Sequence, residues 1–232
     1  MSQAENNIPR HVGLILDGNR RWARERGLPP MEGHRKGSEN FGDAVKQLFN
    51  SGVSYVSAFV FSTENWKRAE EEVSYLMNLV IKLTTNRLSE FDEAGIRIVI
   101  LGSRERLSKK VLKAVNQAEE STAGNQQGTL ALCFNYGGQQ ELVDAYKELV
   151  RAGVAAEDIT AETIQSHLYW SEVPDVDLIV RTSGEQRLSG FMLWRSTYAE
   201  LLFLDKYWPA VTNDDMDRVL EEYAARQRRY GA

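Results

Sequence analysis

The chain has 232 residues, 42% apolar and 26% charged, with a formal net charge of −5, which excludes a disordered chain and argues against non-specific nucleic-acid binding, since that needs a basic face. The single cysteine, Cys133, excludes an intrachain disulfide and a cysteine-rich zinc site. No apolar run approaches the ~18 residues that cross a bilayer, and the polar start MSQAENNIPR lacks the apolar core of a signal peptide, so the expectation is a soluble cytoplasmic protein.

Residues 1–8 read as a flexible tail and 9–232 as one domain, because no repeat, low-complexity tract or long Pro/Gly/Ser linker interrupts them. The first apolar run, 11–16, predicts a strand. Residues 37–50 place Phe41, Ala44, Val45 and Leu48 at helical spacing and stop at Ser51-Gly52. A second strand is predicted over 53–61. Residues 70–94 carry Val73, Leu76, Met77, Val80, Leu83 and Leu88 on a helical period and stop at Gly95. Further strands are predicted over 96–101, 130–135, 176–181 and 201–204, with helices over 104–121, 139–152, 160–168 and 214–229. Several strands are nearly continuous in apolar residues, which suits burial on both faces. The alternation predicts an α/β fold: a single domain with a central, mostly parallel six-stranded sheet and helices on both faces. In such sheets the chemistry lies beyond the carboxyl ends of the strands.

Those ends carry three motifs. The first strand runs into Asp17-Gly18-Asn19-Arg20-Arg21-Trp22. A carboxylate beside exposed amides and two arginines suits Mg²⁺ with a phosphate group; Asp17 also reads as a helix cap. The second ends in Phe61-Ser62-Thr63-Glu64-Asn65-Trp66-Lys67-Arg68, where Ser62 or Thr63 also reads as a cap for the helix near Glu70. The fifth ends in Arg181-Thr182-Ser183-Gly184-Glu185-Gln186-Arg187-Leu188-Ser189-Gly190. Two arginines with hydroxyls and glycines between them suit a diphosphate clamp, or a solvated loop. Glu200, alone, reads as a surface acid. No dinucleotide, P-loop or nucleophile-elbow motif is present. The three histidines are too dispersed for zinc: His11 packs near a strand start, His167 is structural, and His34, in Gly33-His34-Arg35-Lys36-Gly37, sits at a helix start that favours an anion. Together the residues point to two anionic groups and a metal.

DGNRRWA at 17–23, GHRKG at 33–37, FSTENWKR at 61–68, FNYGG at 134–138, RTSGEQRLS at 181–189 and YAELLF at 198–203 resemble, in order, the cis-prenyltransferases of the undecaprenyl diphosphate synthase family. The resemblance implies a homodimer with an apolar tunnel, and Mg²⁺-dependent joining of an allylic diphosphate to isopentenyl diphosphate. It implies Asp17 as the catalytic, metal-binding aspartate and Glu200 as a second metal contact given across the dimer. Gly18, Asn19, Arg20, Arg21, Trp22 and His34 match the allylic diphosphate site. Ser62, Thr63, Glu64, Trp66 and Arg68 match a substrate-binding loop, and Asn65 the residue described as proton acceptor. An unprotonated amide is a weak base, so Asn65 is read as an orienter or relay. Arg181, Arg187, Leu188 and Ser189 match the isopentenyl diphosphate clamp. Val73, Leu76, Met77, Val80 and Leu83 are expected either to line the apolar pocket or to pack as core.

The sequence departs from the family pattern at Pro30, where an arginine is usual, at Val60, where a small alanine is common, at Gly190, where long-chain members usually have Asn, and at Arg195, where an uncharged residue is usual. Bulk at Val60 and glycine at Gly190 suggest a short-chain member. Pro30 and Arg195 suggest altered substrate choice. The readings carried forward are a short-chain isoprenyl diphosphate synthase, a head-to-middle coupling enzyme of the lavandulyl type, and a long-chain undecaprenyl diphosphate synthase. A non-catalytic partner subunit is the reading from another class, and the presence of Asp17, Asn65, Arg181, Arg187 and Glu200 argues against it.

Overall fold

The computed structural model describes residues 8–226. Residues 1–7 of the expected tail and 227–232 at the end of the domain lie outside them. Six strands, β1 His11–Ile15, β2 Tyr55–Ser62, β3 Ile96–Leu101, β4 Gly128–Tyr136, β5 Leu178–Thr182 and β6 Glu200–Leu204, form one sheet in the order β3-β4-β2-β1-β5-β6. Every neighbouring pair is parallel, so the sheet is wholly rather than mostly parallel. The central β1 has β2 on one side and β5 on the other. Their carboxyl ends flank the crevice where ligands bind in open parallel sheets.

Eight α-helices cover the sheet among the described residues: α1 Asn19–Arg24, α2 Pro30–Asn50, α3 Glu70–Thr85, α4 Leu88–Glu93, α5 Lys109–Ser121, α6 Gly138–Arg151, α7 Ala161–Ser166 and α8 Asn213–Ala225. α2 starts at Pro30 rather than at 37, because proline suits the first helical position, where its missing N–H costs nothing. The single helix expected over 70–94 is two. The hydroxyls of Thr84 and Thr85 bond back to the carbonyls of Val80 and Ile81, which weakens a helix end. Arg87 then leaves the helical line to reach the carbonyls of Ser38 and Glu39 on α2. α5 starts late, at Lys109, because the Ser108 hydroxyl accepts the Val111 N–H and caps it.

Alternation along the strands divides the core in two. Val12, Leu14, Val56, Ala58, Ile98, Ile100, Leu130, Leu132, Leu178 and Val180 face Phe41, Val45, Leu76, Val80, Val115 and Val219 of α2, α3, α5 and α8. Ile15, Val99, Leu101, Ala131, Cys133 and Ile179 face the other way, toward Val173, Val176, Phe191 and Met192. The second face also buries an ion pair. Arg195 Nη1 donates to Glu141 Oε1 at 2.7 Å, with the two side chains 0% and 1% exposed. Tyr136 donates to the other carboxylate oxygen at 2.6 Å, and the remaining guanidinium N–H groups bind the carbonyls of Tyr169 and Val173. The Arg195 guanidinium is thus engaged with Glu141 and with backbone carbonyls inside the core, which gives no support to the expectation that it alters substrate choice.

His11 is fully buried. Its Nδ1 lies 2.9 Å from the Pro174 carbonyl, which can only accept, so Nδ1 carries the proton and Nε2 accepts from Ser57 Oγ at 2.8 Å. Burial pushes its pKa down from 6.5 to about 4. The unfolded chain takes up this proton first as pH falls, so stability is lost between about pH 6.5 and 4, by about 3 kcal/mol in full. Thermal unfolding across that range is expected to fall more steeply in wild type than in His11→Gln; equal slopes would contradict this.

Candidate active site

Asp17 follows β1 and lies beside the ends of β2 and β5. Its carbonyl accepts from Thr182 Oγ1 at 2.6 Å and from the Trp208 N–H at 3.0 Å, which fixes the turn. Gly18 then takes φ 102°, and a Cβ there would stand 2.6 Å from the Tyr207 ring, so only glycine fits. The Asp17 carboxylate caps no helix. Oδ1 accepts from the Gly18 N–H at 2.7 Å and Oδ2 from Arg181 Nη2 at 2.7 Å, with Arg21 Nη2 at 3.3 Å from Oδ1. Burial pushes this carboxyl up, but the Arg181 hydrogen bond and charge, the Gly18 amide and Arg21 outweigh it and hold its pKa below the ordinary value.

Arg181 is 4% exposed. Nη1 donates to Ser189 Oγ at 2.9 Å and to the Arg187 carbonyl, while its Nε is buried with no partner. A buried, unsatisfied donor on a cation is costly, and an anion oxygen would satisfy it. Ser183 and Ser189 hold positive φ values of 78° and 52°, so the 182–190 loop stores backbone strain beside this group. The Glu185 carboxylate bridges Arg21 (2.7 Å) and the mostly exposed Arg187.

A second charged cluster lies across the crevice. With α2 starting at Pro30, His34 sits a turn inside the helix, not at its start as expected, and what it offers is its ring. Nε2 lies 3.1 Å from Oε1 of Glu72, a buried residue in the first turn of α3. Glu72 also accepts from Arg68 Nη1 at 2.8 Å and lies 3.9 Å from Arg20. Burial, with Arg68 and Arg20, lowers the His34 pKa despite Glu72. Glu72 was not singled out from the sequence, although its place four residues after Arg68 at a helix entry is the available signal.

Between the clusters, β2 runs into a 3₁₀ turn over Thr63–Lys67. β2 is bulged at Val60, which has no partner between Phe59↔Cys133 and Phe61↔Phe134. Bulges re-aim side chains next to sites, and Val60 lines the cavity. The Ser62 N–H donates to Asn65 Oδ1 at 3.1 Å. Only the amide oxygen can accept there, so the NH₂ group is what Asn65 leaves for the cavity. Ser62 caps this turn, whereas α3 is preceded by Ala69.

These residues surround two adjoining spaces. The first, about 300 Å³, has Asp17, Asn19, His34, Ser62, Asn65, Arg68, Arg181 and Ser189 at its polar end and Leu16, Phe41, Val60, Leu76, Leu79, Val80 and Leu83 among its apolar walls. The expected tunnel itself is not shown; the apolar space described is this cavity. The second, about 610 Å³, shares Asp17, Asn19, His34 and Arg68 and adds Gly18, Arg20, Arg21, Arg24 and Pro30. Trp22, Thr63, Glu64, Trp66, Arg187 and Leu188 line neither. Trp22 lies under the Arg26 guanidinium, and Trp66 turns its indole to Asn135. Val73 and Met77 pack against the core instead of lining the cavity. Glu200 is in register with Leu178 at the amino end of the sheet, opposite Asp17, and pairs with Arg226 at 3.0 Å; within one chain it does not meet Asp17.

Among the described residues no three His, Cys, Asp or Glu side chains gather as a metal cage. Mg²⁺ fits in another way, because it is often held by one or two carboxylates, waters and substrate phosphates. Asp17 is partly open to the cavity, and the buried Asn19 Oδ1 beside it has no partner.

The depth difference between the two loop arginines has a consequence for anion binding. Arg181→Ala is expected to weaken binding of an anion at this loop by a charge-assisted contact of roughly 1.5–3 kcal/mol, with a smaller effect from Arg187→Ala at the exposed rim. Titration with inorganic diphosphate checks it; equal affinity in wild type and Arg181→Ala would contradict it.

Residues 15–231 match the prenyltransferase family model described as "Putative undecaprenyl diphosphate synthase". An isoprenyl transferase of Thermotoga maritima is 45% identical over 226 residues, covering 97% of each chain. A trans,polycis-polyprenyl diphosphate synthase, (2Z,6E)-farnesyl diphosphate specific, of Thermobifida fusca is 45% identical over 228 residues, 97% of this chain and 81% of that one. The crystal structure of lavandulyl diphosphate synthase from Lavandula x intermedia, in complex with dimethylallyl diphosphate, superposes with a TM-score of 0.94 at 29% identity, covering 98% of this chain and 100% of the other.

Proposed function

The chain belongs to the undecaprenyl diphosphate synthase family of prenyltransferases, and on that premise we propose that it is a Mg²⁺-dependent short-chain isoprenyl diphosphate synthase. It joins dimethylallyl or geranyl diphosphate to a second five-carbon diphosphate and releases diphosphate. The observation that carries the chain length is the cavity. An apolar cavity of about 150 Å³ holds one benzene, so about 300 Å³, part of it at the polar end, holds at most roughly a dozen carbons. The bulged Val60, stiff at χ1, takes up room at its wall.

In this reading the anionic head of the allylic substrate lies among Arg20, Arg21, Arg68 and His34, and the second diphosphate satisfies Arg181 Nε and Ser189. Asp17 would hold Mg²⁺, with Glu200 contributed across a homodimer. Bound there, Mg²⁺ supplies Lewis-acid neutralisation of the departing diphosphate. The arginines stabilise the same developing charge from preorganised positions. The apolar walls exclude water, which would quench the allylic cation. The second substrate's double bond attacks that cation and a proton is lost. The Asn65 NH₂ donates and orients; it does not accept the proton, which the departing diphosphate can take.

The homodimer is supported by Val143, Tyr146 and Val150, 47%, 59% and 57% exposed on α6, and by Tyr198 at 70% before β6. No helix among the described residues is long and apolar enough to cross a membrane, and we place the enzyme in the cytoplasm.

A second reading, head-to-middle coupling of two allylic diphosphates, is favoured by the likeness to the lavandulyl enzyme and by Pro30 on the allylic side. Diphosphate release by purified protein separates the two. Release that requires isopentenyl together with an allylic diphosphate supports the first; release from dimethylallyl diphosphate alone, giving a branched ten-carbon product, supports the second. Val60→Ala is expected to lengthen the product by at least one isoprene unit, since a close-packed wall yields little to a misfit group. An unchanged product length would move the stop to Leu76, Val80 and Leu83.

A further inference from the structure

Asn135 is an unusual residue for a strand. It is 4% exposed, non-glycine, and held at φ 50°, a conformation that costs energy unless the surroundings demand it. It is also unmatched in the ladder, lying between Phe61↔Phe134 and Ser62↔Tyr136. β4 thus carries a bulge that offsets the one at Val60 and restores register. The bulge aims the side chain sideways, and every polar group of the residue's amide is used. Nδ2 donates to the carbonyls of Ser103 (2.8 Å) and Glu105 (2.9 Å), and Oδ1 accepts the Trp66 indole N–H at 2.7 Å. Trp66 is packed between the Arg106 guanidinium, 4.5 Å from one ring, and Phe61.

Trp66 follows Asn65 directly in the 3₁₀ turn. The residues after Asn135 hold the same turn and the facing loop. A Cβ on Gly137 would stand 2.6 Å from Thr63 Oγ1, and the Gly138 N–H donates to the Gly190 carbonyl at 2.8 Å, next to Ser189.

We infer that Asn135 is a positioning residue for the condensation: acting through the Trp66 indole, it sets where the Asn65 amide stands relative to Arg181 and Ser189. It lines neither cavity, so its effect is indirect, through the turn and the facing loop. Of the groups around the proposed allylic head, Arg68 adjoins the turn, its N–H donating to the Asn65 carbonyl at 3.0 Å, whereas Arg21 and the neighbouring Asp17 are positioned by Thr182, Trp208, Ser183 and Glu185, so allylic binding depends on Asn135 less than the condensation does. The inference rests on the proposed condensation reaction.

The test uses full-length protein with Asn135→Gly, which removes the clasp while relieving the positive φ, with Trp66→Phe, which removes the indole donor together with one ring and keeps an aromatic side chain, and with the double variant. First, wild type must turn over its substrates; failure there sinks the proposed function and not this inference. Given active wild type, Asn135→Gly is expected to lose on the order of tenfold to a hundredfold in kcat, as misplacement of a reacting group by about 1 Å does. The dissociation constant of the allylic diphosphate should stay within about threefold, and the double variant should be no slower than the slower single one, as for residues acting along one line. Wild-type kcat in folded Asn135→Gly overturns the inference. So does a matching loss of allylic binding, which marks general loosening, and so do losses that multiply in the double variant. If Asn135→Gly does not fold, Trp66→Phe decides alone: a lowered kcat with unchanged allylic binding supports the role, and wild-type kcat overturns it.

Discussion

Asp17→Ala is expected to lower turnover by on the order of a hundredfold or more, with the fold retained. Removing one principal electrostatic group from a preorganised site costs that much, and Asp17 is the only carboxylate at the end of β1. The side chain does three things at once. It offers an anionic oxygen to a cation, it anchors Arg181 at 2.7 Å, and it faces Arg21 at 3.3 Å. Asp17→Asn separates these. An amide oxygen can still accept from Arg181 or from the Gly18 N–H, so part of the anchoring is kept while the charge is gone. Turnover should therefore fall almost as far in Asn as in Ala. Because the arginines hold the Asp17 carboxyl below its ordinary pKa, the acid limb of the wild-type pH–rate profile should not come from this group at pH 5 or above. Wild-type turnover in either variant with an unchanged melting temperature would reject the assignment.

The largest stability effect is expected on the opposite face. Arg195→Met leaves Glu141 buried with Tyr136 as its hydroxyl partner and no cation. Breaking a buried pair from one side costs about 3–5 kcal/mol. At about 2–4 °C per kcal/mol for a chain of this size, the melting temperature should drop by roughly 6–20 °C. Replacing both partners, Arg195→Met with Glu141→Leu, removes the stranded charge as well and should recover much of the loss. Equal melting temperatures for wild type and Arg195→Met would show that the pair contributes nothing. Product identity at a permissive temperature should be unchanged, because the guanidinium binds Tyr169, Val173 and Glu141 and lines neither cavity.

Arg195 also marks where sequence reading stops. Its charge in a family position that is usually neutral was visible, but its partner lies 54 residues away on α6, and no local pattern shows which face of the sheet it enters. The strands were legible because short runs rich in β-branched residues are too brief for a buried helix and suit strands covered on both faces. The gathering of Asp17, Asn65, Arg181 and Ser189 around one crevice was legible for a topological reason. Parallel strands bring all their carboxyl ends to one edge. The same rule puts Glu200, at the amino end of β6, on the far edge. The bulges at Val60 and Asn135 left no sequence trace, because a bulge is a mismatch between two strands and not a property of either. Glu72 was hidden among Glu70 and Glu71; its burial depends on α2 presenting His34, and α2 began earlier than its apolar spacing indicated.

We propose that this site condenses an allylic diphosphate with isopentenyl diphosphate and stops early. Purified wild type, geranyl diphosphate, excess isopentenyl diphosphate and Mg²⁺, followed by mass spectrometry of the dephosphorylated products, test it most directly. Chains of about fifteen carbons, the ten of geranyl plus one five-carbon unit, are expected to dominate, with no product when Mg²⁺ is chelated. Chains of about fifty carbons or more, from a cavity of about 300 Å³, would contradict it.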